Sequence, residues 1–280
     1  MLYIDQLTEA AEQGKAKDQY DLASCYFFGS VVRQDYRQAV KWLRMAASQG
    51  YTLAENGLGY CCNKGLGVPQ SYEAAVKWFA KAARKGLAKA QDNLGLSYRY
   101  GTGVTCDHET AFGWFYKAAL QGFDKGQCNL GCCYREGTGV QKDQELGFRW
   151  YAAAAQQGLA SAQYGLGFCY YYGDGVPQDF EQAVKWFTLA AEQGLAGSQY
   201  ILSYCYLNGH GVPTDLNQVA KWLAAAAEQD HGGAQYRLGD CYYHGYGVLE
   251  DFELAIKWYT EAAQNGNADA QRQLGYIQEV

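Results

Sequence analysis

Cysteine is the residue with the greatest chemical potential in this chain, which has ten thiols among 280 residues. Equivalent positions on neighbouring packed helices lie roughly 8 to 10 Å apart, which is farther than a disulfide allows. Cysteines that recur at a regular interval in a stack of helices should therefore stay reduced and serve as small apolar residues where helices pack. Six cysteines recur at intervals of 36 residues or a multiple of 36: Cys25, Cys61, Cys133, Cys169, Cys205 and Cys241.

The other four cysteines, Cys62, Cys106, Cys128 and Cys132, fall outside this period. Cys128 and Cys132 stand one helical turn apart, a spacing at which two thiolates can share a metal ion. No histidine or second cysteine pair occurs at ligand spacing, so reduced thiols are the favoured interpretation. Whether any of the four forms a disulfide or a metal contact stays open at this point.

Histidines and aspartates are the remaining candidates for acid–base chemistry. The recurrent aspartates each precede a helical pattern, where an aspartate caps the first turn, and Asp179 with Gln182 predicts a capping box. None of the histidines belongs to a motif with a serine or cysteine nucleophile and an orienting acid. We therefore predict no catalytic residue, no metal site and no cofactor. The residues concerned are Asp107, Asp143, Asp179, Asp215 and Asp251, and His108, His210, His231 and His244.

Glycine pairs such as Gly101-Thr-Gly103 also recur, and glycine-rich loops can bind phosphate. A phosphate loop follows a strand and ends in Lys-Ser or Lys-Thr, and neither feature is present here. The pair instead predicts a turn between two helices, in which the first glycine ends a helix in the left-handed conformation.

The element that must position all these residues is a repeat of 36 residues. A period of this length is typical of stacked helical hairpins. We predict a single array over 1–280, with a half-repeat cap at 1–15, seven repeats over 16–267 and a second half-repeat cap at 268–280. Sixteen helices and no strands should result, with helices near 2–13, 17–28 and 36–48, and onward in steps of 36. The period is marked by Trp42, Trp78, Trp114, Trp150, Trp186, Trp222 and Trp258.

A glycine inside the first helix of most repeats, such as Gly167, conflicts with helix propensity by up to about 1 kcal/mol. We expect it to be offset by close approach of two helix backbones. Ser203 replaces this glycine in the sixth repeat.

The net charge of −6 and pI of about 5.3 argue against binding to nucleic acid or to an anionic membrane surface. The N-terminal residues show no signal-peptide pattern, no apolar run is long enough to span a bilayer, and no N-glycosylation sequon occurs. We expect a cytoplasmic protein.

The complete repeat pattern resembles the Sel1-like repeat family, a relative of the tetratricopeptide repeat. The resemblance covers nearly the whole chain and implies a right-handed α-solenoid that acts as an adaptor or scaffold. One cysteine-rich branch of the family is β-lactamase-like and has paired cysteines that join the two helices of a repeat, whereas most repeats here carry one cysteine. One repeat carries the pattern as Leu94-Gly95, Tyr98, Gly101-Thr-Gly103-Val104, Asp107, Ala111, Trp114, Ala118-Ala119 and Gly122.

These features favour a non-catalytic scaffold that binds a partner protein or peptide. A hydrolytic family member and a regulatory subunit of an enzyme complex stay as alternatives. Binding should use repeat positions 5, 9, 12 and 13 of the first helix, here called the variable face, which the tetratricopeptide resemblance places on the concave side. The rival interpretation is that these side chains only pack against neighbouring helices. The predicted binding residues are Tyr164, Phe168, Tyr171, Tyr200, Tyr204, Tyr236, Asp240, Tyr243, Arg99 and Arg135.

Overall fold

The computed structural model describes residues 3–278, and all its regular elements there are α-helices. The predicted sixteen helices without strands are confirmed for these residues, and the predicted helix positions agree to within about two residues. The helices are α1 (Tyr3–Glu12), α2 (Ala16–Phe28), α3 (Tyr36–Ser48), α4 (Thr52–Lys64), α5 (Tyr72–Arg84), α6 (Ala88–Tyr100), α7 (His108–Leu120), α8 (Asp124–Glu136), α9 (Gln144–Gln156), α10 (Ala160–Tyr172), α11 (Phe180–Glu192), α12 (Ala196–Asn208), α13 (Leu216–Ala227), α14 (Gly232–His244), α15 (Phe252–Gln264) and α16 (Ala268–Gln278).

The helices fall into two compact units, with the boundary between Lys142 and Asp143. Unit 1 contains α1 to α8 and unit 2 contains α9 to α16. Within each unit every helix packs against the next one along the chain, so both units are stacks of helical hairpins. We call the even-numbered helices A helices and the odd-numbered ones B helices.

Each complete repeat joins its two helices through a left-handed glycine and an N-cap side chain, which is Ser71 in the second repeat and an aspartate in the others. In the fifth repeat Gly173 ends α10 in the left-handed conformation, at φ 76°, and its N–H bonds to the Cys169 carbonyl. The Asp179 carboxylate then accepts a hydrogen bond from the Gln182 N–H at 2.9 Å at the start of α11. The Asp179 N–H donates to the Tyr170 carbonyl at 2.9 Å. A capping box would also require the Gln182 side chain to accept a hydrogen bond from the Asp179 N–H. This part of the prediction is wrong, because that N–H already donates to α10.

The second loop glycine has a role beyond the predicted turn. Gly175 adopts φ 74°, and a Cβ on it would lie 2.2 Å from the Gln144 carbonyl oxygen at the start of α9. The same close contact recurs at Gly103, where a Cβ would lie 2.4 Å from the carbonyl group of Tyr72 in the preceding hairpin. Only glycine lets one loop sit on the preceding B helix, so this residue sets how consecutive hairpins stack.

The glycine inside the A helix contacts a ring and not another backbone, which corrects the expectation from the sequence. A Cβ on Gly167 would lie 2.6 Å from ring carbons of Phe187 on α11. In the two complete repeats that lack the ring, the glycine is absent too: Ser203 accompanies Leu223, and Ala23 accompanies Leu43. The ring residue follows the repeat tryptophan directly and is the more buried of the two in these hairpins. The corresponding pairs are Gly59 with Phe79, Gly95 with Phe115, and Gly239 with Tyr259.

Amide side chains join the A helix of several hairpins to the end of the B helix of the same hairpin. Gln163 accepts a hydrogen bond from Gln193 Nε2 at 2.7 Å, and the same arrangement recurs in other repeats. In the second repeat Glu55 replaces the glutamine, and its carboxylate oxygen lies 2.7 Å from Lys85 Nζ and 3.0 Å from Lys81 Nζ. In this hairpin an ion pair with a buried carboxylate thus replaces the amide pair.

Candidate functional site

The variable face of α10 mainly covers the core of its own hairpin. The Tyr164 and Phe168 rings lie 4.7 Å apart in an edge-on arrangement. Phe168 also packs against the buried Phe187 ring at 5.3 Å. Both predicted binding residues are half-buried, and their contacts support the packing interpretation at this helix.

Tyr171, one of the predicted binding residues, is buried and contacts other side chains of unit 2. Its hydroxyl oxygen lies 2.7 Å from His210 Nδ1, in the following loop, and its ring packs on Phe180 at 5.0 Å. Burial raises the pKa of the Tyr171 hydroxyl to about 12. The adjacent Tyr172, at position 13 of the same predicted face, is 61% exposed, so at this helix only part of the variable face is open.

The next two A helices of unit 2 border a groove of about 440 Å³. Four predicted binding residues line it, namely Tyr200 and Tyr204 from α12 and Tyr236 and Asp240 from α14. Tyr204 is 45% exposed, which leaves its ring accessible to a ligand. The remaining lining residues are Ser203, Leu207, Leu216, Val219, Leu223, Arg237, Cys241, His244, Tyr246 and Gln273.

The groove coincides with the departure from the repeat at Ser203 and Leu223. In the hairpins on either side, the position of Leu223 holds the fully buried rings of Phe187 and Tyr259. Leucine fills less volume than an aromatic ring, and Leu216, Val219 and Leu223 of α13 line the groove that results. The Ser203 substitution was visible in the sequence, but its consequence depends on the paired leucine.

Two of the tyrosines that line the groove are held in place by other rings. Tyr200 stacks on His231 with the ring centres 4.7 Å apart. His231 is itself fixed, because its Nδ1 accepts a hydrogen bond from the Ala234 N–H at 3.1 Å at the start of α14. Tyr236 packs against the buried Tyr259 ring at 5.8 Å. These contacts hold the Tyr200 and Tyr236 rings in the positions where they line the groove.

One carboxylate, Asp240, lines the groove with only 22% of its side chain exposed. Its Oδ1 accepts a hydrogen bond from the Tyr259 hydroxyl at 2.9 Å, and its Oδ2 lies 3.6 Å from Arg237 Nη1. Burial raises the pKa of Asp240 above its usual value, although the Tyr259 hydrogen bond and the Arg237 charge oppose that change. The Tyr259 hydrogen bond and the Arg237 charge therefore offset only part of the cost of burying this negative charge.

Tyr243, also predicted to bind, lies outside this groove. Its ring packs edge-on against Phe252 at 5.3 Å. It borders a smaller hollow, about 310 Å³, together with Ile256, Tyr276 and other residues at the end of unit 2.

The two predicted arginines belong to unit 1 and form ion pairs within it. Arg99 Nη2 donates to Cys132 Sγ at 3.1 Å and to Glu136 Oε2 at 3.3 Å. Arg135 Nη2 lies 3.1 Å from the other oxygen of Glu136. Asp92, on the same variable face, is buried and accepts a hydrogen bond from Asn129 at 2.8 Å. Burial raises the pKa of Asp92 to about 6.

The recurrent cysteines lie in the core, and no disulfide joins any of the ten cysteines, all of which are within the described residues. Burial raises the pKa of Cys61, Cys133 and Cys241 to about 11 and that of Cys205 to about 12. These thiols stay protonated at neutral pH, so they are poor nucleophiles and poor metal ligands. Over residues 3–278, no cluster of three or more histidine, cysteine, aspartate or glutamate side chains is arranged to hold a metal.

A family model described as the Sel1 repeat matches seven consecutive segments of the chain: 16–51, 52–87, 88–123, 124–159, 160–195, 196–231 and 233–267. A search of curated protein sequences gave no match. None of the described helices is both long and apolar enough to cross a membrane.

Solved structures show similar folds. A protective antigen of uropathogenic Escherichia coli that displays an SLR fold superposes with a TM-score of 0.81 and 39% identity, covering 99% of this chain. This chain spans only 59% of that antigen. A Sel1 repeat protein from Oxalobacter formigenes gives 0.79 and 35% identity, covering 98% of this chain and 79% of the other. An immunity protein from Pseudomonas aeruginosa shares the fold at 21% identity, with a TM-score of 0.52 over 78% of this chain and 83% of its own.

Proposed function

The chain belongs to the Sel1 repeat family, and we propose that it is a non-catalytic scaffold that binds an extended segment of a partner protein in the groove between α12 and α14. Proteins of this family generally mediate protein interactions. The observation that carries the proposal is the groove itself, in which exposed Tyr204 stands beside half-buried Tyr200 and Tyr236. Aromatic side chains in such surroundings are typical of interaction hot spots.

The supported rings strengthen this proposal. Tyr200 rests on His231 and Tyr236 rests on Tyr259, so neither ring has to be ordered when a ligand arrives. Side chains that are already immobile lose less entropy on binding, which favours affinity. The Tyr171 hydroxyl contacts His210, and the His210 ring centre lies 5.9 Å from the Tyr204 ring centre, so the side chain beside Tyr204 is held in place too.

A hydrolytic role lacks comparable support. His210 bonds to Tyr171 and His231 caps α14, so both histidines have structural partners. Burial keeps the recurrent cysteines as protonated thiols, and most repeats carry one cysteine and not a pair, which supports a reducing compartment such as the cytoplasm. We keep the localisation as part of the proposal.

The test is selection of peptides from a phage-displayed random twelve-residue library against the purified chain, followed by calorimetry with the synthetic winners. Tyr204→Ala should weaken their binding at least about fivefold, as expected of a hot spot. Tyr172→Ala is the matched control, because it removes another exposed tyrosine from an A helix outside the groove. The proposal is wrong if no peptide is enriched, or if both variants bind the peptides as the parent chain does.

A further inference from the structure

The groove carries a charge asymmetry that indicates what kind of segment it takes. Apolar groups line much of it, including Leu216, Val219 and Leu223, whereas its carboxylate comes from Asp240. Asp240 is mostly covered, and one of its oxygens bonds to the Tyr259 hydroxyl. A covered carboxylate in an apolar wall favours a ligand that brings a positive charge.

The chain's own Arg237 shows the chemistry that such a ligand would use. Its guanidinium carbon lies 5.8 Å from the centre of the Tyr236 ring, and its Nη1 lies 3.6 Å from Asp240 Oδ2. Cation–π attraction and a charge-assisted contact thus already meet at this edge. The arginine is 58% exposed and three residues from Asp240 on one helix, a type of pair that contributes little and exchanges readily.

We infer that the groove selects a segment with an arginine or lysine side chain between apolar residues, with Asp240 as the anchor of that cation. The inference rests on the proposed function and adds the class of ligand to it. The aliphatic part of the cationic side chain would lie along the tyrosine rings, and its charged end would replace Arg237 at Asp240. The other titratable groups near Asp240 are His244 and Asp269, and neither is hydrogen-bonded to the carboxylate in the described structure.

The test uses two blocked tripeptides, acetyl-Leu-Arg-Leu-amide and its neutral isostere with citrulline in place of arginine. Each is titrated into the full chain and followed by NMR shifts of the tyrosine rings. We expect the citrulline peptide to bind at least fivefold more weakly. Asp240→Asn, which keeps an acceptor for Tyr259, should lower the affinity for the arginine peptide to that for the citrulline peptide. Arg237→Gln removes the internal competitor and should raise affinity for the arginine peptide severalfold.

Glu192→Gln is the control, because it removes the same charge from an exposed position of α11 outside the groove. It should leave the difference between the two peptides unchanged. Equal affinity for the two peptides, a difference that survives Asp240→Asn, or no saturable binding of the arginine peptide would overturn the inference. Library peptides that depend on Tyr204 but lack a cation would overturn it too, while leaving the proposed scaffold function intact.

Discussion

Gly167 faces the ring of Phe187 so closely that a Cβ on the glycine would lie 2.6 Å from the ring carbons. Such a separation is well inside van der Waals contact, so alanine at this position would force the ring or the helix to move. We predict that Gly167→Ala lowers the free energy of unfolding by about 1 to 2 kcal/mol, despite the better helix propensity of alanine.

Gly113 in α7 offers a matched control for this substitution. It is also inside a helix, but a Cβ there would meet nothing within 4 Å. Gly113→Ala should therefore stabilise the chain by up to about 1 kcal/mol in denaturant titrations. If the two substitutions change stability in the same direction, the ring does not explain the helix glycine.

Asp92 should make stability depend on pH, because burial raises its pKa from 3.8 to about 6. A folded-state pKa above the unfolded value gives a favourable contribution below pH 3.8 that is lost as pH rises through 6. Asp92→Asn should thus stabilise the chain by roughly 1 to 3 kcal/mol at pH 8, and by almost nothing near pH 3.5.

The second repeat already contains the arrangement that this variant would create. Asn56 occupies the position of Asp92 and accepts a hydrogen bond from Asn93 at 3.0 Å. Exposed Glu192→Gln serves as the control for the loss of one negative charge. Urea titrations across this pH range that show a pH-independent gain for Asp92→Asn would contradict the assignment.

The ion pair of Glu55 and Lys85 should be replaceable by the glutamine pair of the other repeats. Glu55 is fully buried, and its second oxygen has no hydrogen-bond donor among the described residues. Lys85→Gln alone should destabilise the chain by about 1 to 3 kcal/mol, because a buried carboxylate then keeps only Lys81. Glu55→Gln with Lys85→Gln should unfold at the parent's urea concentration or higher. A double variant that unfolds at a clearly lower urea concentration than the parent chain would rule this out.

The architecture was predictable because one repeat unit is written seven times, and its caps have local sequence signatures. Asp179 and Gly173 act on backbone groups within a few residues, so their roles follow from sequence alone. The partner of Gly167 was missed because it is a residue twenty positions later, and only the paired exceptions reveal the link, namely Ser203 with Leu223 and Ala23 with Leu43.

The candidate site was less predictable, because side-chain exposure depends on how neighbouring hairpins meet. Tyr171 and Tyr172 are adjacent and identical in type, yet one is buried against Phe180 and the other is exposed. Arg99 is drawn into contact with Glu136, which lies 37 residues away in the next A helix. Sequence periodicity identifies which positions vary, but not which of them the stacking leaves open.

The central claim is that the sixth repeat binds because it lacks the ring that five of the other six repeats have, and one double substitution tests it most directly. Ser203→Gly with Leu223→Phe restores the usual pair and should fill the groove. Ala23→Gly with Leu43→Phe makes the same change in the first repeat, in unit 1. By calorimetry with a library-selected peptide, we predict that the first variant stays folded and loses at least about tenfold in affinity. The second should bind like the parent chain. A folded Ser203→Gly/Leu223→Phe chain that binds the peptide with unchanged affinity would contradict the account.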